Sequence, residues 1–330
     1  MPPEGTLLLS GPEVASLIDL DDAIREVERA FALHAEGGIP PPGILGCPVA
    51  AGGFHLKSAW VPGAAPRYAV KANANFPANR ATSGLPTIQG VIALFDGDTG
   101  APLAVMDSIE ITILRTAAAT AVAARHCARR DAATVTIIGC GAQAAAQIRA
   151  LARVRRITQV YAFDIEPGRA DRLATGLSGE GLATEAVRDH RAALAQSDIC
   201  VTCTPSTTPF LFSADLAPGT FVAAVGADSE GKQELEPDLV ASALLVVDLL
   251  ESCAAIGELH HALEAGIMRR EDVRAELGEV VIGRKAGRWT DEEIVVFDST
   301  GSALQDVATA ALVYEKALAV GAGTRFRFSR

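Results

Sequence analysis

The sequence has 330 residues, 49% hydrophobic and 21% charged, a mixture that excludes disorder and sustains a large core divided over about two domains. A formal net charge of −11 excludes nucleic acid as the expected partner, since phosphate binding needs a basic footprint. No apolar run reaches the ~20 residues that span a bilayer, and the opening MPPEGTLLLSGPEV lacks the basic and apolar regions of a signal peptide, so no membrane partner and a cytoplasmic location are expected.

In chain order, the first predicted element is a helix from Leu20 to Ala35. Asp19, Asp21 and Asp22 gather at its start, where negative charge suits the helix dipole. Ile24, Val27, Ala30, Phe31 and His34 recur at helical spacing, and Pro40 to Gly43 breaks the chain. Two period-two strands follow, Phe54 to Trp60 and Tyr68 to Asn75, with Lys71, Asn73 and Asn75 on one face and Val70, Ala72 and Ala74 on the other. A hairpin centred near Ala64 sets Lys57 opposite Lys71. Two facing ammonium groups disfavour each other's charge unless an anion lies between them; the alternative is a pair of solvated lysines on an exposed sheet face. Thr87 to Phe95 and Ala101 to Met106 are further strands around the turn Asp98-Thr99-Gly100. A small-residue helix then runs from Thr116 to Arg125, with Arg115 at its mouth.

Thr134 to Ile138 is a continuous β-branched run, as expected of a central parallel strand. It leads into Gly139-Cys140-Gly141-Ala142-Gln143-Ala144 and a helix to Val154. This G-x-G-x-x-A fits a dinucleotide loop: Gly139 for the turn, Gly141 for close approach to a pyrophosphate, Ala144 for tight helix packing. A second strand, Gln159 to Phe163, ends in Asp164. A carboxylate there accepts from both ribose hydroxyls and repels a 2′-phosphate, which argues for NAD over NADP. A tight loop holding no nucleotide is the plainer alternative. Strand patterns at Ala183 to Val187, Ile199 to Thr204, Phe221 to Val225 and Leu244 to Asp248 complete a doubly wound parallel sheet, with a short helix from Arg191 to Gln196. Thr204-Pro205-Ser206 and Gly226-Ala227-Asp228 lie just past strand ends, where such sheets place their ligands.

The six cysteines are scattered. Cys200 and Cys203 have C-x-x-C spacing, yet lie in an apolar strand pattern with no second pair, and so read as buried strand residues. No metal is expected: His260-His261 is an adjacent pair on a predicted helix, pointing to different sides.

Lys71, Gly84-Leu85-Pro86-Thr87, Leu114 to Ala118, Gly139 to Gln143, Val225 to Asp228 with Gly231 to Leu235, and Phe297 to Gly301 occur in one order. In these segments the chain resembles the ornithine cyclodeaminase/mu-crystallin family over almost its whole length. The resemblance implies an α/β fold with a Rossmann domain, residues 116–300, inserted in an α+β substrate and dimerisation domain, residues 1–115 plus 301–330, and a homodimer. It assigns Lys71 and Arg115 to the substrate carboxylate, Thr300 to a backbone contact with substrate, and Asp228 to acid/base catalysis, with Lys71 beside it in the catalytic set. Thr87, Arg115, Gly139, Gly141, Ala142, Gln143, Asp164, Thr204, Val225, Gly226, Ala227, Asp228, Lys232 and Ser299 match positions near the dinucleotide.

These roles suit hydride exchange with an amino acid or its imine. Arg115 offers a bidentate fork for a carboxylate and Lys71 a point charge. Reduction of a C=N bond is favoured when its nitrogen is protonated, and Asp228 suits holding that charge or managing that proton. Without the resemblance, Arg115 reads as a helix-start partner of Glu110, and Asp228 as a cap of its own turn. One departure stands out: many family members carry a carboxylate-binding arginine shortly after the early proline segment, where this chain has Gly43. Lys57 is the expected replacement. The expected function is therefore an NAD(H)-dependent amino-acid dehydrogenase or ketimine/imine reductase. The alternatives are an ornithine or lysine cyclodeaminase, which recycles its hydride and releases ammonia, and a non-catalytic mu-crystallin-like binding protein.

Overall fold

A computed structural model describes residues 5–328; the reading of the opening segment falls outside it for residues 1–4. The chain divides into two compact units, Met1–Arg115 with Ser302–Arg330, and Thr116–Gly301.

The first unit is built on a seven-stranded sheet. Its order is Thr324–Phe326, Thr6–Leu9, Pro102–Asp107, Ile88–Asp96, Arg67–Asn75, Gly52–Val61 and Gly43–Val49, antiparallel except between Thr6–Leu9 and Pro102–Asp107. Helix Leu20–Glu36 forms where its charge pattern predicts, with the Asp19 side chain accepting from the Asp22 N–H at 2.8 Å. Helix Ala303–Val320 is capped by the Ser302 hydroxyl and stopped by Gly321 in the left-handed region, φ 68°. It packs across strands Gly52–Val61 and Arg67–Asn75 and against helix Leu20–Glu36. Its buried positions Val307, Ala310, Val313, Tyr314 and Ala317 form the facing stripe.

That packing decides which sheet face is buried. Lys57 and Lys71 are opposed in register, and they share the covered face with Ala59, Ala69, Ile92 and Leu94. The two lysines are 7% and 3% exposed, which overturns the reading of solvated surface lysines. The opposite face, carrying Leu45, Phe54 and Val91, keeps those side chains 62%, 43% and 47% exposed. Alternation alone identifies two faces without saying which one a distant helix will cover.

The helix predicted from Thr116 begins earlier, as Ile109–Cys127. The Asp107 carboxylate accepts from the Ile109 N–H at 2.8 Å, and the Ser108 carbonyl accepts from Thr112 N–H. Arg115 therefore lies inside the helix rather than at its mouth, a correction that comes from the Asp107 cap.

The second unit holds eight parallel strands in the order Ala275–Glu276, Leu244–Val247, Val295–Asp298, Phe221–Ala224, Ile199–Thr202, Thr134–Ile138, Gln159–Phe163 and Thr184–Ala186. Strand order reverses between Thr134–Ile138 and Ile199–Thr202, the switch point where doubly wound sheets take their ligands. Strand Val295–Asp298 is inserted between Phe221–Ala224 and Leu244–Val247. Its residues are fully buried, as befits a central position, and the chain reaches it from far along the sequence. No helix among the described residues is long and apolar enough to cross a membrane.

Candidate active site

The expected site residues fall into two sets, one in each unit. In the first unit, Lys57 and Lys71 come from paired strands and Arg115 from helix Ile109–Cys127. Arg115 is 5% exposed. The residue that joins them is Asp306, in the first turn of helix Ala303–Val320 and 1% exposed. Lys71 Nζ lies 2.8 Å from Asp306 Oδ1 and 2.7 Å from Oδ2. Arg115 Nε donates to Oδ1 at 3.0 Å, and Arg115 Nη1 donates to Gln305 Oε1 at 3.1 Å. Arg115 thus engages the C-terminal helix in place of the simpler pairing with Glu110.

Three cations and one carboxylate share this buried place. Burial first and the Arg115 charge second push the Lys71 ammonium down to about 7, against the opposing pull of Asp306. Burial acts to raise Asp306, but Lys71 and Arg115 outweigh it and hold the carboxyl below its usual range. The anion that the two facing lysines call for is one the protein itself carries, Asp306. Sequence reasoning missed Asp306 because 235 residues separate it from Lys71. The available signal was a Gln305-Asp306 pair just ahead of the mostly apolar run Val307 to Val313 of that helix. Thr87 also belongs to this unit, just before strand Ile88–Asp96, its carbonyl accepting from the Phe76 N–H at 2.8 Å.

In the second unit the remaining residues gather at the C-terminal ends of adjacent parallel strands. Gly139 has φ +96°, and a Cβ on it would lie 2.8 Å from the Cys203 carbonyl oxygen, so only glycine fits the turn. At Gly141 a Cβ would meet nothing within 4 Å, leaving that backbone open to approach. Ala144 is fully buried where helix Ala144–Val154 begins, and the exposed Ala142 and half-buried Gln143 precede it. Asp164 follows strand Gln159–Phe163; its Oδ2 accepts from the Cys140 N–H and its Oδ1 from the Glu166 N–H, both at 2.8 Å. Those bonds fix the carboxylate at the strand end and leave lone pairs on both oxygens. The loop and its acid therefore fit a dinucleotide with unphosphorylated ribose. Asp164→Gly is expected to raise the NADPH-to-NADH ratio of kcat/KM by about tenfold, chiefly by losing NADH, as measured by initial rates with each cofactor.

Thr204 and the segment Val225–Asp228 are joined beneath by Glu234, which is 0% exposed. Its carboxylate accepts from Thr202 Oγ1 at 2.6 Å, Thr204 N–H at 2.7 Å, Thr204 Oγ1 at 2.7 Å and Gly226 N–H at 2.9 Å. Asp228 is 51% exposed at its side chain and receives Lys232 Nζ at 2.6 Å. Ser299 and Thr300, each 3% exposed, follow strand Val295–Asp298. Asp248 secures them, accepting from Gly301 N–H at 2.7 Å, Ser299 Oγ at 3.3 Å and Thr300 Oγ1 at 3.4 Å. Glu234 and Asp248 are the supporting groups that sequence reasoning did not assign.

Cys200 is buried in strand Ile199–Thr202, Cys203 donates to the Gly139 carbonyl, and burial pushes both thiols up, as suits unreactive structural cysteines. His261 Nε2 lies 2.8 Å from the Lys232 carbonyl, and no metal-ligand cluster occurs among the described residues.

A doubly wound sheet with this glycine loop and strand-end acid defines a nicotinamide-dinucleotide protein. The chain belongs to the ornithine cyclodeaminase/mu-crystallin family, whose sequence pattern matches residues 4–321. It is similar to an archaeal alanine dehydrogenase dimer with bound NAD, at 39% identity, TM-score 0.93, and coverage of 98% of this chain and 99% of the other. It also resembles the Δ1-pyrroline-2-carboxylate reductase of Thermococcus litoralis in complex with NADH and L-proline, at 34% identity and TM-score 0.92, covering 97% and 100% of the two chains. The iminosuccinate reductase of Paracoccus denitrificans in complex with NAD+ is similar too, at 34% identity and TM-score 0.90, covering 98% and 100%.

Proposed function

We infer that the chain is an NAD(H)-dependent oxidoreductase that exchanges hydride with the α-carbon of a small amino acid or its imine. The observation that carries this reading is the buried group of Lys57, Lys71 and Arg115, whose positive charge exceeds that of Asp306 and suits a carboxylate. NAD supplies or receives the hydride when bound. Gly139, Gly141, Ala142 and Gln143 receive its pyrophosphate, Asp164 its ribose hydroxyls, and Thr87, Arg115, Thr204, Val225–Asp228, Lys232 and Ser299 complete the set assigned to it. Lys71, Arg115 and Lys57 hold the substrate carboxylate, and Thr300 offers its backbone to substrate. Asp228 holds or moves the proton on the substrate nitrogen, with Lys232 Nζ orienting its carboxylate.

The reading is tested by following NADH oxidation with 2-oxo acids plus ammonia or methylamine, and with cyclic imines, beside ammonia release from ornithine. NADH consumption with any of the first two groups supports the reductase; ammonia release without net NADH change assigns a cyclodeaminase instead. Inactivity in every arm returns the chain to a binding role.

Affinity for a carboxylate should also depend on pH. Lys71 loses its proton as pH rises through about 7, so the dissociation constant for pyruvate should increase above that pH, by up to ~10-fold per unit. Calorimetric titrations at several pH values check this, and a constant affinity from pH 6 to 9 would contradict it.

The exposed sheet face with Leu45, Phe54 and Val91 is the surface for a second copy of this chain, in keeping with the dimeric archaeal relative. Phe54→Glu should give a monomer in sedimentation analysis. A cytoplasmic location accords with this chemistry, because NADH is an intracellular reductant.

A further inference from the structure

Asp306 stands outside every role that hydride exchange requires, although it touches both groups assigned to the substrate carboxylate. We propose that Asp306 is a positioning residue: it holds Lys71 as an aimed ammonium, so that the cluster stays a carboxylate receiver in the neutral range. This rests on the functional reading above.

The geometry supports such a division of labour. Both Asp306 oxygens lie within 2.8 Å of Lys71 Nζ, and the oxygen Oδ1 is shared with Arg115 Nε at 3.0 Å, so one carboxylate fixes the heads of two cations. Asp306 lies in the first turn of helix Ala303–Val320, where the helix dipole favours a negative charge. Gln305, its neighbour, takes a second Arg115 nitrogen and leaves the guanidinium with one defined orientation.

The groups that face Lys71 from each surrounding element act in known directions. Arg115 from helix Ile109–Cys127 and Lys57 from the paired strand both favour a neutral lysine, as does burial. Strand Ile88–Asp96 places uncharged Ile92 opposite Lys71 on its other side. Asp306 is the one named neighbour that favours the ammonium. A purely structural ion pair would need one cation to one anion; three cations around one carboxylate leave a positive excess, the condition for receiving an anion from outside. Without Asp306, Lys71 would already lose its proton below neutral pH, and the receiver would lose a charge and its aim together.

The test is the titration of Lys71, followed by NMR of the protein with 13C-labelled lysine side chains and assigned by the signal lost in Lys71→Arg. In Asp306→Asn the midpoint should move to lower pH by about one unit or more, the size expected for removing an opposite charge at hydrogen-bond distance. The pH at which pyruvate binding weakens should move with it, while NADH affinity stays unchanged. Asp306→Glu should recover most of the shift. A structural role alone would lower the melting temperature and leave the midpoint where it was, which overturns the proposal. Should Asp306→Asn fail to fold, the unsubstituted protein decides: the Asp306 carboxyl 13C signal should step at the pH where Lys71 titrates, and a missing step overturns the proposal equally. A shifted Lys71 midpoint with no pyruvate binding at any pH upholds the role of Asp306 and removes the carboxylate-substrate reading instead.

Discussion

Lys71→Ala is expected to lower kcat/KM for imine reduction by ~10³-fold or more, about 4 kcal/mol of transition-state stabilisation, with NADH affinity unaltered. The loss exceeds that of one contact because of what remains. With the ammonium gone, Asp306 loses the cation that meets both of its oxygens, and a 1% exposed carboxylate then repels the carboxylate of the substrate. Removing Lys71 therefore both subtracts an attraction and uncovers a repulsion. Lys57→Ala should cost less, ~10- to 100-fold, because it leaves the contacts of Lys71 and Arg115 with Asp306 in place. The two variants together decide whether Lys57 takes the place of the arginine expected near Gly43. The structure sets Gly43 opposite Ser58 and Ile44 opposite Lys57, so the position following Gly43 is paired with the proposed substitute. If Lys57→Ala leaves substrate affinity intact while Lys71→Ala abolishes it, Lys57 has no such part. Steady-state rates with a cyclic imine and separate NADH fluorescence titrations give both numbers.

The legibility of these residues from sequence follows from the range of the interactions involved. The glycine loop, Asp164 and the hairpin that opposes Lys57 to Lys71 depend on spacing within a few dozen residues, and the local pattern carries them. The start of the helix containing Arg115 depends on a side-chain cap from Asp107, one residue beyond the apolar pattern that was visible. Asp306 depends on a helix returning from the far end of the chain to cover one face of a sheet. Period-two alternation cannot choose that face, and polarity argues for the wrong one, since the lysine face is the buried one. Strand Val295–Asp298 shows in the sequence only through the motif Phe297 to Gly301, because insertion between two earlier strands is a property of sheet order, which sequence patterns do not encode. Glu234 lay in plain view in the segment Gly231 to Leu235, yet nothing local says that its carboxylate turns inward.

That inward carboxylate leads to the second large effect. Glu234→Ala should lower the melting temperature of the second unit by ~10 °C and raise the NADH dissociation constant at least ~10-fold. Four donors from the ends of two strands converge on Glu234: the Thr202 and Thr204 hydroxyls and the Thr204 and Gly226 N–H groups. All lose the acceptor that a fully buried carboxylate gives them, at a cost of about 3–5 kcal/mol. Glu234→Gln should be nearly as harmful, although it keeps size and shape. An amide accepts on one atom only, and its NH2 would point donors at donors. Burial raises the Glu234 carboxyl, and the converging hydrogen bonds oppose that rise without cancelling it. The backbone beneath is held in turn by Glu258, which accepts from the Glu234 and Leu235 N–H groups at 2.8 and 3.1 Å. Gly226 gives an independent check from the other side of the same contact. A Cβ there would lie 2.4–2.5 Å from three atoms of the Glu234 carboxyl group, so Gly226→Ala must displace that carboxylate or its own loop. Both substitutions should therefore weaken NADH binding by similar factors, and the double variant should cost much less than their sum. Additive effects in the three NADH titrations would show that Glu234 and Gly226 act on the dinucleotide loops separately.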